Sequence, residues 1–100
     1  MNVVLRDEAR GDIVDGASFF DGQREGLGDY LVDCVFEDLR TIESHSVLHE
    51  VVFGLHRKVV NRFTFAIYYW QDSDTVDVIA ILDCRRDPSL ILETLQQREP

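Results

Sequence analysis

Arg62-Phe63-Thr64-Phe65-Ala66-Ile67-Tyr68-Tyr69-Trp70, then Gln71-Asp72-Ser73-Asp74, then Thr75-Val76-Asp77-Val78-Ile79-Ala80-Ile81-Leu82-Asp83 is the stretch on which the fold class turns. Both flanks are dense in aromatic and β-branched residues, which suit a pleated, half-buried surface, and the polar quartet between them is turn chemistry. The stretch therefore predicts an antiparallel hairpin. If residues 71–74 form the whole loop, Trp70 faces Thr75, Tyr68 faces Asp77, Ala66 faces Ile79, Thr64 faces Ile81 and Arg62 faces Asp83. Side chains alternate across a strand, so Phe63, Phe65, Ile67 and Tyr69 join Val76, Val78, Ala80 and Leu82 on a core face. Arg62, Tyr68, Trp70, Asp77 and Asp83 fall on the other face, which is mixed in character and open to a partner. In that register Arg62 and Asp83 form a cross-strand ion pair.

Upstream, His49 to Val60 reads as a further strand, with a bulge or bend at Gly54. Before it the period is helical. Ala9, Ile13, Ala17 and Phe20 recur at spacings of four and three, with Asp7 as N-cap and an end near Gly22, while Glu8, Arg10, Asp12 and Asp15 lie on the solvated side. After a turn spanning Gln23 to Gly28, the residues Leu27, Leu31, Cys34, Val35, Leu39 and Ile42 trace one face of a second helix ending around Ser44. So short a loop predicts an antiparallel helix pair. Asn2-Val3-Val4-Leu5 suits a brief opening strand, and Pro88 opens a final amphipathic helix carrying Leu90, Ile91, Leu92 and Leu95. The expected architecture is α+β: an N-terminal strand, a helix hairpin packed on an antiparallel sheet, and a short C-terminal helix.

The 100 residues suit one domain over 1–100, and 45% hydrophobic residues with 10% aromatics supply its core. No run approaches the roughly 20 apolar residues that span a bilayer, and the N-terminus lacks a secretory pattern, so a cytoplasmic protein without a membrane role is expected. Cys34 and Cys84 lie in separate apolar segments without CxxC spacing, which predicts reduced core thiols. The net charge is −9, and residues 1–50 carry twelve acids against four bases. Residues 51–100 carry seven acids against six bases, and Val51 to Gln71 has no acid but three bases, Arg57, Lys58 and Arg62. An acidic body disfavours nucleic acid as a partner, although a basic strip suits an anionic one.

The chain from Arg6 to Pro88 resembles the RelE/ParE toxin superfamily. Arg6-Asp7-Glu8-Ala9 and Ala17-Ser18-Phe19-Phe20-Asp21 are similar to the start and end of the family's first helix, and Gly26-Leu27-Gly28-Asp29-Tyr30-Leu31 to its GLG helix start. Arg57 to Tyr69 is similar to the family's R-x-x-x-x-R-F-P-[YF]-x-[IV]-x-Y strand pair. Val78 to Pro88 is similar to its V-x-[AV]-[VI]-x-H-x-R-R-x-P ending. The chain departs from the pattern with Thr64 in place of Pro, Trp70 in place of a base and Asp83 in place of His. The resemblance implies a toxin neutralised by a cognate antitoxin, as a homodimer or a heterotetramer with it. ParE-like members inhibit DNA gyrase, whereas RelE-like members are ribosome-dependent mRNA endonucleases. The tail after Pro88 lacks a Tyr or His for acid–base work, which favours the ParE-like, plasmid-stabilisation branch. A third reading is a degenerate, non-toxic interaction module of the same fold.

Candidate partner- and target-binding residues are Arg57, Lys58, Arg62, Tyr68, Trp70, Arg85 and Arg86. Each also has a plainer reading, as a solvated strand charge, a strand-ending ion pair or sheet cover. His45, His49 and His56 match no zinc spacing, and neither a metal nor another cofactor is expected. Asp12, Asp15, Glu37 and Asp38 read as solubilising helix charges. The chain carries no P-loop, GxSxG, HExxH or GxGxxG, so conventional enzyme chemistry is not expected.

Overall fold

A computed structural model describes residues 2–44 and 49–98. In order, these form β1 (Asn2–Leu5), α1 (Asp7–Gln23), α2 (Leu27–Ser44), β2 (Val51–Val52), β3 (Leu55–Val59), β4 (Phe65–Asp72), β5 (Thr75–Asp83) and α3 (Pro88–Arg98). The fold is α+β, with a helix hairpin on a five-stranded sheet ordered β1-β5-β4-β3-β2. β1 joins the edge parallel to β5, and the other pairings are antiparallel, so the sheet is mixed.

The hairpin forms where the helical periods predict it, with local differences. Asp7 is the first helical residue rather than the cap, and it places negative charge in the first turn together with Glu8. The buried stripe of α1 runs through Ala9, Ile13 and Gly16. Gly16 belongs there because a Cβ would stand 2.9 Å from the Phe65 ring and 3.0 Å from Leu31. The two helices approach closely at Gly28, where a Cβ would lie 2.3 Å from the Ala17 carbonyl oxygen. The Gly28 N–H donates to Asp21 Oδ1 at 2.8 Å, which ties the start of α2 to the end of α1.

The sheet departs from the expected register. The β4–β5 loop is two residues, not four: Asp72 pairs with Thr75 across Ser73-Asp74, with Ser73 in left-handed backbone (φ 56°). Trp70 consequently faces Asp77. The register then shifts, because Tyr69 pairs with Val78 and Tyr68 with Ala80, leaving Ile79 as an extra residue in β5. This bulge inverts the facing of the rest of β5. Phe65, Ile67, Tyr69, Val76 and Val78 meet the helix hairpin as expected, joined by Ile81, whereas Ala80 and Leu82 turn to the opposite face. Phe65, not Arg62, pairs with Asp83, so no Arg62–Asp83 ion pair forms: Asp83 binds Arg85 and Arg62 binds Tyr30. The expected single strand from His49 to Val60 is a small hairpin, β2–β3, whose turn residues Phe53 (φ 56°) and Gly54 (φ 82°) are both left-handed.

The second face of the sheet is a second core rather than an open surface. Ile91 and Leu95 of α3 pack on Leu55, Ala66, Tyr68, Ile79, Ala80 and Leu82. Past the end of β1, the exposed edge of β5 is closed by side chains from two helices. Asp12 Oδ2 accepts the Ile81 N–H at 2.9 Å, and Arg98 donates to the Ile79 carbonyl at 3.4 Å. Asp12 and Arg98 are themselves joined at 2.6 and 3.0 Å. Arg6 grips Asp77 with two bonds of 2.9 and 2.6 Å and also donates to the Arg98 carbonyl. Asp12 is thus a structural carboxylate, with a side chain only 10% exposed, and not the solvated charge its helical position suggested.

A candidate partner-binding groove

The turn after β3 builds an open surface cavity. The Val60 N–H donates to the Phe65 carbonyl, and the chain between them swings out with Arg62 in left-handed backbone (φ 70°). Such a conformation is uncommon for a long side chain and persists only where surrounding contacts enforce it. Asp38 of α2 supplies that enforcement. It is buried, accepts the Asn61 N–H at 3.2 Å and pairs with Lys58 Nζ at 3.3 Å. Arg62 then reaches back to donate to the Tyr30 hydroxyl. Phe63 packs between Phe20 and Tyr30, with ring centroids 5.2 and 5.5 Å apart, and forms the aromatic floor.

The groove so formed has a volume of about 690 Å³, with Leu27 and Val59 as further apolar walls and Arg62 and Arg85 as its charged residues. Its described lining holds no carboxylate and no histidine. This composition can bind an apolar surface that carries a hydrogen-bond acceptor, since the rings supply contact area and guanidinium N–H groups supply direction.

Arg62 and Arg85 are the two sequence-identified residues that meet here. The others are dispersed. Arg57 lies on the α3 side of β3, opposite Tyr68, and its Nε and Nη2 bind Glu50 Oε1 at 3.1 and 2.6 Å. Lys58 faces the helix hairpin and is occupied by Asp38. Trp70 is half exposed at the far end of β4, beside Asp77. Arg86 lines a neighbouring cleft of about 280 Å³ with Asp12, Asp15, Phe19 and Asp83. Tyr68, expected on an open face, is fully buried under α3; its hydroxyl lacks a well-directed hydrogen bond among the described residues, and burial pushes it above the usual phenol range. Tyr30, Phe20 and Phe63 were overlooked as groove residues because Phe20 and Phe63 read as core and Tyr30 as a helix-start residue.

No family model, curated protein or solved structure matches the chain.

His49 and His56 serve local packing. His49 Nδ1 is hydrogen-bonded to the Tyr69 hydroxyl, and His56 Nδ1 lies 2.9 Å from the His49 carbonyl. His45 lies outside the described residues, and no set of three or more ligating side chains gathers among those described. Cys34 is buried and Cys84 half-buried, neither in a disulfide. No helix is long and apolar enough to cross a membrane among the described residues.

Proposed function

We propose that this chain is a toxin of the RelE/ParE superfamily, of the ParE-like branch, which arrests growth by docking on a protein target such as DNA gyrase and is held inactive by a cognate antitoxin. The observation that carries this reading is the groove beside the β3–β4 turn. It joins an aromatic and aliphatic floor to the arginines Arg62 and Arg85, and its described lining offers no carboxylate or imidazole for proton transfer. Aromatic side chains and arginine are the residue types that dominate affinity at protein interfaces. The resemblance of Arg57–Tyr69 and Val78–Pro88 to family segments supports the same reading.

The test is gyrase-catalysed supercoiling of relaxed plasmid in the presence of the purified protein. Inhibition at micromolar concentration is expected, and Arg62→Glu should abolish it while leaving the thermal melt in place, since Arg62 is exposed. Unaltered supercoiling at that concentration sinks the target assignment.

A further inference from the structure

Arginines over aromatic rings are ordinarily receptive to phosphate, because the planar fork matches two oxygens and the rings stack on bases. The groove has both ingredients, yet one edge of the Arg85 fork is already engaged. Asp83, two residues upstream, accepts from Arg85 Nε at 3.1 Å and from Nη2 at 2.8 Å, and the Arg85 backbone N–H donates to the same carboxylate at 3.0 Å. The Asp83 side chain is 18% exposed against 64% for Arg85, so the carboxylate is an embedded part of the scaffold while the guanidinium stands at the surface. The bulge at Ile79 makes this arrangement, since it turns Asp83 to the hairpin side of the sheet, where Phe65 pairs with it.

We propose that Asp83 is a specificity-determining residue: a built-in carboxylate that engages one edge of the Arg85 guanidinium and sets a fixed negative charge against phosphate-bearing ligands at the Arg62–Arg85 groove, leaving it to a protein partner. An incoming phosphate would have to displace that local partner or take the remaining edge of the guanidinium, in either case against a fixed negative charge. An apolar surface meets neither obstacle. The inference rests on reading the groove as a protein-docking site, but its test uses RNA rather than gyrase, so the two fail separately.

The probe is a short fluorescently labelled oligouridylate, titrated at low salt by anisotropy against the wild-type protein, D83N, R85Q and the double variant. D83N should bind about fivefold more tightly than wild type, the upper range of what releasing an exposed ion pair provides. Its plot of log affinity against log salt should steepen by about 0.7, the signature of one added single-strand phosphate contact. R85Q should erase both gains in the D83N background and cost about fivefold less in the wild-type background. Equal affinity of D83N and wild type, or an equal cost of R85Q in both backgrounds, overturns the proposal. So does a D83N gain that survives R85Q, since it would report net charge alone. D83S provides a second neutral replacement if D83N does not fold. Should neither fold, R85Q against wild type still decides, because a loss of fivefold or more there means that Arg85 already engages phosphate.

Discussion

At the residue scale, His49 shows how burial and neighbouring charge set a proton equilibrium. Its ring stands edge-on to Tyr69 with centroids 5.8 Å apart, and its Nδ1 is hydrogen-bonded to the tyrosine hydroxyl. Burial pushes the imidazole below its ordinary value; Lys58 and His56 push the same way, and Asp38 opposes them. The unfolded chain then takes up the proton first as pH falls. Stability is unaffected above the unfolded value of about 6.5 and declines as pH drops through it, until the folded imidazole titrates as well. Urea unfolding compared at about pH 7.5 and about pH 5.5 should show this loss, and His49→Gln should flatten it. Asp12 and Asp38 teach a related lesson. Both stand at helical positions that read as solvent-facing, yet each carboxylate is hydrogen-bonded to the backbone of a distant strand or turn.

At the element scale, the helix hairpin depends on how closely its two backbones approach. Gly28→Ala would thrust a methyl group to within 2.3 Å of a main-chain carbonyl, where no side-chain rotation relieves the clash. A loss of about 2–4 kcal/mol in chemical denaturation is expected. Gly11 provides the control: it lies inside α1 with nothing within 4 Å of an added Cβ, so Gly11→Ala should stabilise by about 0.5–1 kcal/mol through helix propensity. Element types were legible because the 3.6 and 2 periodicities are local. The facing of β4 was legible too, since Phe65, Ile67 and Tyr69 alternate without interruption. The facing of distal β5 was not, because Val78-Ile79-Ala80-Ile81-Leu82 is apolar at every position and so conceals which residue is extra. The polar quartet Gln71-Asp72-Ser73-Asp74 likewise permits a two- or four-residue loop, and only the pairing of the strands chooses between them.

At the scale of the whole molecule, α3 completes the structure by covering the second sheet face, and an ion pair and a hydrogen bond at Arg98 hold it in place. Arg98 bridges to Asp12 of α1, while Arg6, just after β1, binds Asp77 of β5 and the Arg98 carbonyl. Removing one partner strands a mostly buried charge. Asp12→Ala would also leave the Ile81 N–H without its acceptor, so a loss of about 3 kcal/mol is expected. A double-mutant cycle with Arg98→Ala should give a coupling of about 1–3 kcal/mol; independent losses would mean that the Arg98–Asp12 pair does not hold α3. This strap also explains why the sheet face was mistaken for an open one. Tyr68 and Ala66 alternate outward from the hairpin, and strand periodicity says nothing about a helix that returns to cover them.

The order of elements, the antiparallel pairing of the helices and the inward side of β4 are written in spacings of a few residues, so reading along the chain recovers them. The bulge at Ile79, the burial of Tyr68 and the meeting of Arg62, Tyr30 and Arg85 in one groove arise from packing between distant segments. The Arg98–Asp12 bond links positions 86 residues apart, and Arg62 reaches Tyr30 across 32. Charge pairing falls off with distance in space rather than along the chain, so which arginines remain available to a partner emerges only after the fold has closed.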